Sequence, residues 1–400
     1  MAVLLIVLGL LLGFMAWEYQ VHLRNLRKVP TRIHVNGTRG KSSVTRLIAA
    51  GLRAGGVATC AKTTGSRPRM ILEDGSEYSI QRQGRANILE QLRAVAVASR
   101  RGAHALVAEC MALSPALQVL SEEKMIRSSI GVITNVRADH LDVMGPAVED
   151  VARALGGAMP KDNPLVTAEN DPALLEILRE AAEKQRTKLV CVTPGAEGIT
   201  EEIMRKFPYV EHSENVAVAC KVCELAGVER EQALEGMFKA TPDIGALRII
   251  HLAFFAKQID FIHAFAANDP ESTLAIWNRV LSLFPGERRH VAILNCREDR
   301  PQRSVALGKI LPTMKGIHRI LLTGSGTRMA MEAALKNGMH PEKLIVLEKP
   351  RPEDVFERAV AQIIQTGTVF GMGNIGGGGT GIIEYFENRA EVPKDALSGV

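Results

Sequence analysis

Aromatic residues are scarce in this chain of 400 residues: 11 Phe, 4 Tyr and 2 Trp, or 4%. So few rings exclude the stacking platforms on which single-stranded nucleic acids are held. A surplus of one charge is lacking too. Lys and Arg number 49 against 44 Asp and Glu, a net +5, too small without a basic patch to point to nucleic acid. Cysteine is limited to six scattered positions, Cys60, Cys110, Cys191, Cys220, Cys223 and Cys296. That is a reduced cytosolic pattern and excludes a disulfide scaffold. Cys220 and Cys223 have CxxC spacing, but they lie in a helical pattern with no second pair nearby and read as core packing. No repeat or low-complexity tract occurs. What remains is a globular composition, 46% hydrophobic and 23% charged, long enough for two domains.

Long apolar runs are absent with one exception. Residues 1–17, MAVLLIVLGLLLGFMAW, carry no charged side chain and would span roughly 25 Å as a helix. Trp17 and Tyr19 extend the run as interfacial anchors. Glu18 and then Arg24, Arg27, Lys28 and Arg32 follow, and a positive flank on this side keeps the bulk of the chain cytoplasmic. The basic start and small-residue cleavage site of a secretory signal are missing. Gly9 and Gly13 form GxxxG, either a face for another membrane helix or two incidental glycines in a lone anchor. The expectation is a protein on the cytoplasmic face of the cell membrane, anchored by residues 1–28.

Beyond the anchor, short apolar runs alternate with amphipathic stretches. Strands are predicted at Arg32–Val35, Ala105–Ala108, Ile130–Thr134, Pro164–Thr167 and Leu189–Val192. Helices are predicted at Lys41–Ala54, Asn87–Arg101, Leu174–Lys184 and Asn215–Ala226. This is the pattern of an α/β domain with a mainly parallel sheet, P-loop type, over residues 29–245. Pro242 and Gly245 bracket a break. A second series (Gln258–Ile262, Val291–Leu294, Arg319–Leu322, Leu344–Leu347, Thr368–Phe370) predicts a smaller, doubly wound, Rossmann-like domain over 246–388, with a tail at 389–400.

The sharpest motif is Gly37-Thr38-Arg39-Gly40-Lys41-Ser42-Ser43, between a strand and a helix. Glycines let backbone N–H groups face a phosphate at a helix N-terminus, Lys41 reaches the β- and γ-phosphates, and Ser42 or Ser43 helps hold Mg²⁺. Val35 replaces the first glycine of the commoner G-x-x-x-x-G-K-S loop, so this is the shorter G-T-x-G-K-S. Glu109 ends an apolar strand, where a ligand-binding edge would use a carboxylate for a hard cation. Asp139, His140 and Asp142 leave another buried strand. His140 could bind a metal or orient a phosphate, while the aspartates could cap the next helix.

Together Gly37–Ser42, Glu109 and Thr134-Asn135…Asp139-His140-Leu-Asp142 resemble the ATP-binding core of the Mur ligase superfamily. The resemblance covers roughly residues 30–385. It implies that Asn215, before an alanine-rich helix, lies on the adenine side. It also implies that Arg248 reaches the phosphates and that Asp260, in Asp260-Phe-Ile-His263-Ala, faces the nucleotide across a domain cleft. Asn268-Asp-Pro270 continues that stretch. A nucleotide-sugar domain before the loop is not expected, which speaks against a peptidoglycan ligase. The family's carbamylated lysine has no counterpart near Arg153-Ala154, and Lys161 lies in a Pro160–Pro164 turn.

The anchor, the short loop, Asn295-Cys-Arg297-Glu-Asp-Arg300 and the glycine-rich Gly371-Met-Gly373-Asn374-Ile-Gly376 segment resemble the ligases of bacterial capsule poly-γ-glutamate synthesis. As a dinucleotide fingerprint the glycine segment fails, because no strand follows to supply a ribose-binding acid. Arg67, Arg69, Arg82 and Arg85, with Arg297, Arg300 and Arg303, form either a rim for a polyanionic peptide or merely solvated loops. Gly373 and Asn374 are candidate substrate contacts.

The resemblance implies an ATP- and Mg²⁺-dependent (or Mn²⁺-dependent) ligase that activates a glutamate γ-carboxylate as an acyl phosphate. A second glutamate amine then attacks, releasing ADP and phosphate. Lys41, His140 and Arg248 would carry catalysis, and Ser42, Glu109 and His140 the metal. Domain closure would bring Arg248 and Asp260 over the nucleotide. Expected partners are glutamate, the growing polymer and integral membrane subunits of an export complex, with homo-oligomerisation open and nucleic acid excluded. A folylpolyglutamate-type ligase and a membrane-tethered regulatory ATPase are the alternatives.

Overall fold

The computed structural model describes residues 2–64, 68–82, 86–207, 209, 211–242, 248–265, 269–284 and 286–390. Contacts divide the chain into two units, Met1–Asp243 and Ile244–Val400.

The first unit begins with helix α1 (Ala2–Lys28), which runs into strand β1 (Thr31–Asn36) through only Val29 and Pro30. Helix α2 (Lys41–Ala54) follows, then β2 (Thr59–Lys62), β3 (Arg69–Ile71), β4 (Glu77–Ser79), α3 (Glu90–Arg100) and β5 (Ala105–Glu109). Next come α4 (Pro115–Leu120), a π-helical turn (Ser121–Ile126), β6 (Ile130–Ile133), α5 (Leu141–Met144), α6 (Val148–Gly156) and β7 (Pro164–Thr167). The unit closes with α7 (Pro172–Gln185), β8 (Lys188–Cys191), α8 (Glu201–Arg205), α9 (Ser213–Leu225) and α10 (Arg230–Phe238). Its sheet has the order β4-β3-β2-β5-β1-β6-β7-β8. The six strands from β2 to β8 are parallel, and β3 and β4 pair antiparallel at one edge.

Helix α2 shows why this sheet closes. Val44, Leu47, Ile48 and Leu52 recur at helical spacing and are wholly buried. Each such side chain contributes about 1.5–3 kcal/mol when removed from water. The same core takes Cys220 and Cys223 from α9, and burial pushes the Cys220 thiol up to about 12. These cysteines are packing, as their helical setting predicted. The antiparallel pair β3–β4 was not predicted, because strands of three residues leave no period to read.

In the second unit β9 (Arg248–Phe254) and β10 (Lys257–His263) form a hairpin, followed by α11 (Pro270–Leu283), β11 (Arg289–Cys296) and α12 (Pro301–Ile310). Then come β12 (Ile317–Gly324), α13 (Thr327–Lys336), β13 (Leu344–Glu348), α14 (Pro352–Ala361), β14 (Thr366–Gly373) and α15 (Gly379–Glu387). The order is β13-β12-β11-β14-β10-β9, parallel except for β9 at the edge. Trp277, Phe261, Phe370 and Phe386 are fully buried there. The five predicted strands are present, and β9 is an added edge strand opened by Arg248.

Helix α1 is two things at once. Val3 to Trp17 are exposed along the apolar run, whereas His22 and Leu26 are buried. Leu26 and Val29 share a core with Val95, Ala98 and Leu106. The helix is long and apolar enough to cross a membrane, with mean hydropathy 2.1 in its richest window.

Candidate active site

Strand β1 delivers the chain to the glycine loop at the carboxyl edge of the first sheet. Gly37 and Gly40 have φ of +124° and +78°, values that L side chains rarely adopt. A Cβ on Gly37 would also collide with Thr134, and one on Gly40 would stand 2.5 Å from Asn215 Oδ1. The loop is therefore cut to backbone width on both sides. Its trajectory is fixed by the strand next door. Asn135 Oδ1 accepts from Thr38 Oγ1 at 2.7 Å and from Arg39 N at 3.1 Å, and Thr134 Oγ1 donates to Arg39 O at 2.6 Å. Behind it, Asn36 donates to the buried Gln118 at 2.8 Å.

Lys41 Nζ donates to Gly37 O at 2.6 Å and to Thr38 O at 3.2 Å. Its ammonium thus caps two of the loop's carbonyls, while the N–H groups of Gly37, Thr38 and Arg39 donate to Asn36 Oδ1, Asn135 O and Asn135 Oδ1. Ser42 Oγ donates to Glu109 Oε2 at 2.8 Å. Thr64 completes the grip on that carboxylate, with N to Oε2 at 2.7 Å and Oγ1 to Oε1 at 2.5 Å. A hydroxyl and a buried carboxylate side by side are the oxygen donors a hard cation takes. Of the two serines, it is Ser42 whose hydroxyl meets Glu109.

Lys62 and Glu90 are buried beside this carboxylate and sequence reading missed them. Lys62 is wholly buried, 3.6 Å from Glu90 Oε2. Burial holds the ammonium below its ordinary range, and Glu90 and Glu109 oppose that. Glu90 in turn accepts both arms of Arg82, at 2.7 and 3.0 Å. The adjacency of β2 and β5 brings Lys62 to Glu109, the start of α3 brings Glu90 to Lys62, and no local pattern announces either.

His140 stands elsewhere. It adopts φ +47° and caps α5 without a side-chain bond, and its ring lies 3.9 Å from Asp139 Oδ1. Asp139 does not cap a helix as expected; it accepts from Arg39 at 3.1 Å. Among the described residues, no three His, Cys, Asp or Glu side chains gather as a metal cluster. The structure therefore joins Ser42 to Glu109 and leaves His140 outside that pair. Glu169, buried and unpredicted, steadies the His140 segment by accepting from Val136 N at 2.7 Å and from Arg137 at 3.1 Å. Lys161 is exposed in its turn and Arg153 is paired with Asp150 at 2.7 Å, so neither supplies a lysine near His140.

Asn215, at the start of α9, is buried with its carbonyl toward Gly40, and its amide donates to Glu211 at 2.8 Å. In the second unit, Asp260 lies midway along β10 and its carboxylate is taken by Arg288 and His251. Asp260 thus sits in an ion pair within the second unit, three residues before the strand's carboxyl end at His263. Arg248 opens β9, and its side chain lies outside the described residues, as do Arg67, Arg85 and Asn268. Asn295 and Asn374 cross-brace the glycine segment. Asn295 Nδ2 donates to Asn374 O at 2.5 Å and Gly376 O at 3.0 Å, and Asn374 Nδ2 donates to Asn295 O at 3.1 Å. Gly373 has φ +94° beside Asn295. Arg303 donates to Asn374 Oδ1 at 2.8 Å, Arg297 pairs with Asp299 at 2.6 Å, and Arg300 is exposed. Arg69 lies 3.8 Å from Glu77. The arginine rim is thus partly neutralised by local carboxylates.

A glycine loop on the first strand, with a lysine, a serine and a strand-end glutamate, defines the class. The Mur ligase middle domain matches residues 35–241, and the poly-gamma-glutamate synthase CapB C-terminal domain matches residues 249–389. The capsule biosynthesis protein CapB of Bacillus anthracis is 36% identical over 371 residues, 92% of this chain and 79% of that protein. PGA synthase CapB of Bacillus subtilis (strain 168) is 34% identical over 387 residues, 96% and 97% of the two chains. The chain belongs to the CapB family of poly-γ-glutamate synthases within the Mur ligases.

Solved structures share the fold. E. coli FolC in complex with ADP has TM-score 0.70 at 15% identity, covering 93% of this chain and 92% of that one. Mycobacterium tuberculosis folylpolyglutamate synthase complexed with ADP has TM-score 0.67 at 16% identity, covering 94% of each.

Proposed function

We infer that this chain is an ATP-dependent amide ligase that joins glutamate through γ-carboxyl linkages into poly-γ-glutamate, releasing ADP and phosphate. Family membership supports the reaction, and the observation that carries it is the Ser42–Glu109 pair at the end of the glycine loop. The donor set fits a nucleotide with Mg²⁺, or Mn²⁺ in its place. When bound, these supply a transferable γ-phosphoryl group and the charge that screens it during transfer to a carboxylate.

The chain's own residues do the positioning. The N–H groups of Gly40, Lys41, Ser42 and Ser43 bind phosphate oxygens, while those of Gly37, Thr38 and Arg39 donate to Asn36 and Asn135 and keep the loop aimed without reorganisation. Lys41 neutralises developing charge. Ser42 and Glu109 hold the cation, with Thr64 keeping the carboxylate's orientation. Asn215 borders the loop on the adenine side. Asp139, through Arg39, ties the His140 segment to the phosphate loop, and His140 orients the reacting carboxylate and phosphate. Asn374 and Gly373, with Arg297 and Arg300, border the glutamate. The reading includes α1 as a membrane anchor that docks the enzyme on integral membrane subunits of an exporter, with Gly9 and Gly13 as the contact face.

The test is ADP release from membranes holding the chain and its partner subunits, with and without glutamate, against Lys41→Ala. Glutamate-stimulated ADP that disappears in the variant is expected. Hydrolysis indifferent to glutamate would point to a regulatory ATPase, and turnover that requires a pteroate to a folylpolyglutamate-type ligase.

A further inference from the structure

Six basic side chains from three separate stretches stand around the place where α1 enters the first unit. Arg24, Arg27 and Lys28 end α1, Arg100 ends α3, and Lys124 and Arg127 close the π-helical turn; all six are exposed. None of them is ion-paired among the described residues, and the same stretches carry the exposed acids Glu18 and Glu123. The neighbouring Arg101 is neutralised by Glu73.

The geometry ties this belt to the level at which α1 stops being apolar. Arg127 donates to Tyr19 Oη at 2.8 Å, two residues beyond the uncharged run. His22 is buried against the backbone of Lys124 and Met125. Asn25 accepts from Ser99 at 3.0 Å, just before Arg100. Arg32 staples the corner by donating to the carbonyls of Leu26, Val29, Ile126 and Arg127. The folded body thus reaches up the side of α1 to Tyr19 instead of hanging from Lys28. At 1.5 Å per residue, those two positions differ by about 13 Å.

We propose that this belt is a docking surface for the anionic phospholipid headgroups of the inner leaflet. The proposal rests on the reading of α1 as a membrane-crossing helix. If α1 crosses with Trp17 and Tyr19 at the interface, Arg127 and Lys124 lie within about one Debye length of the lipid phosphates, where attraction is weakly screened. Arg24, Arg27, Lys28 and Arg100 lie deeper and feel it less. The helix supplies attachment, and the belt sets which face of the first unit meets the bilayer.

Lysine acetylation of the native full-length chain tests this, read residue by residue by mass spectrometry. The chain is reconstituted in vesicles of phosphatidylcholine alone, and in vesicles with about a third phosphatidylglycerol. Lys184, exposed on α7, is the internal reference. Expected is a several-fold slowing at Lys124 and a smaller one at Lys28 on the anionic vesicles only, reversed by molar salt. The variant Arg24→Glu/Arg100→Glu/Arg127→Glu should lose the difference while still floating with both vesicle types. Equal rates on both vesicle types, in a chain that floats with both, would overturn the belt and leave the anchor standing. A chain that floats with neither overturns the anchor first. Slowing on phosphatidylcholine that appears only when poly-γ-glutamate is added would assign the belt to the product and overturn the lipid assignment.

Discussion

The carboxyl edges of the two sheets are built on the same plan and spent differently. In the first unit, side chains from the segments that follow neighbouring strands grip one another: Ser42 and Thr64 on Glu109, Thr38 on Asn135, Arg39 on Asp139. In the second, Asn295 and Asn374 grip backbone carbonyls, and the arginines turn to neighbouring carboxylates or amides. One edge concentrates charge in fixed places; the other shapes a loop. A cation-dependent transfer requires the former, because donors must already point at the charge that develops. On the proposed reading, the latter borders the glutamate.

The sharpest way to break this contrast is at Glu109. Glu109→Gln keeps the shape, and its amide group would face the Ser42 and Thr64 donors. Turnover should fall by about 10²–10³ with a raised Mg²⁺ requirement, measured by ADP release across a Mg²⁺ titration. An unchanged Mg²⁺ dependence would remove the carboxylate from the cation site.

A second effect separates support from chemistry within the first unit. His34 on β1 is fully buried, 2.8 Å from Glu122, which also accepts from Ser128. Burial works against the imidazolium, but Cys110 and Glu122 outweigh it and raise His34 to about 10. A raised value means stabilisation that is complete below the unfolded value of about 6.5 and lost as pH rises through about 10. Glu122→Gln should cost about 3–5 kcal/mol near pH 7. Thermal unfolding should show the gap to wild type closing toward pH 10, and a gap independent of pH would refute the ion pair.

The smallest effect belongs to the second edge. Asn374→Ala should cost about 1 kcal/mol of bracing and raise KM for glutamate roughly fivefold, leaving KM for ATP unchanged. Steady-state kinetics decide, and a change confined to ATP would move the glycine segment to the nucleotide.

What could be read from the sequence follows the same divide. Helix α2 was bounded correctly at Lys41–Ala54, because glycine, lysine and an apolar 3.6-residue period are local signals. The phosphate loop and the placement of Glu109 at a strand's end were legible for that reason. Lys62, Glu90, Glu122, Glu169 and Gln118 were not. Each is a buried polar residue whose partner sits 28 to 88 positions away, and strand order, which supplies the partner, has no local signature. The partner of Asp260 was hidden in the same way: Arg288 lies 28 positions away and only the fold brings it to β10.

The two-residue junction between α1 and β1 also fixes a distance. β1 carries the chain from the end of the anchor helix to the phosphate loop, a climb of about 20 Å for six residues. With a two-residue junction and a single six-residue strand between them, α1 and the glycine loop are joined without slack, so the loop cannot swing independently of the helix.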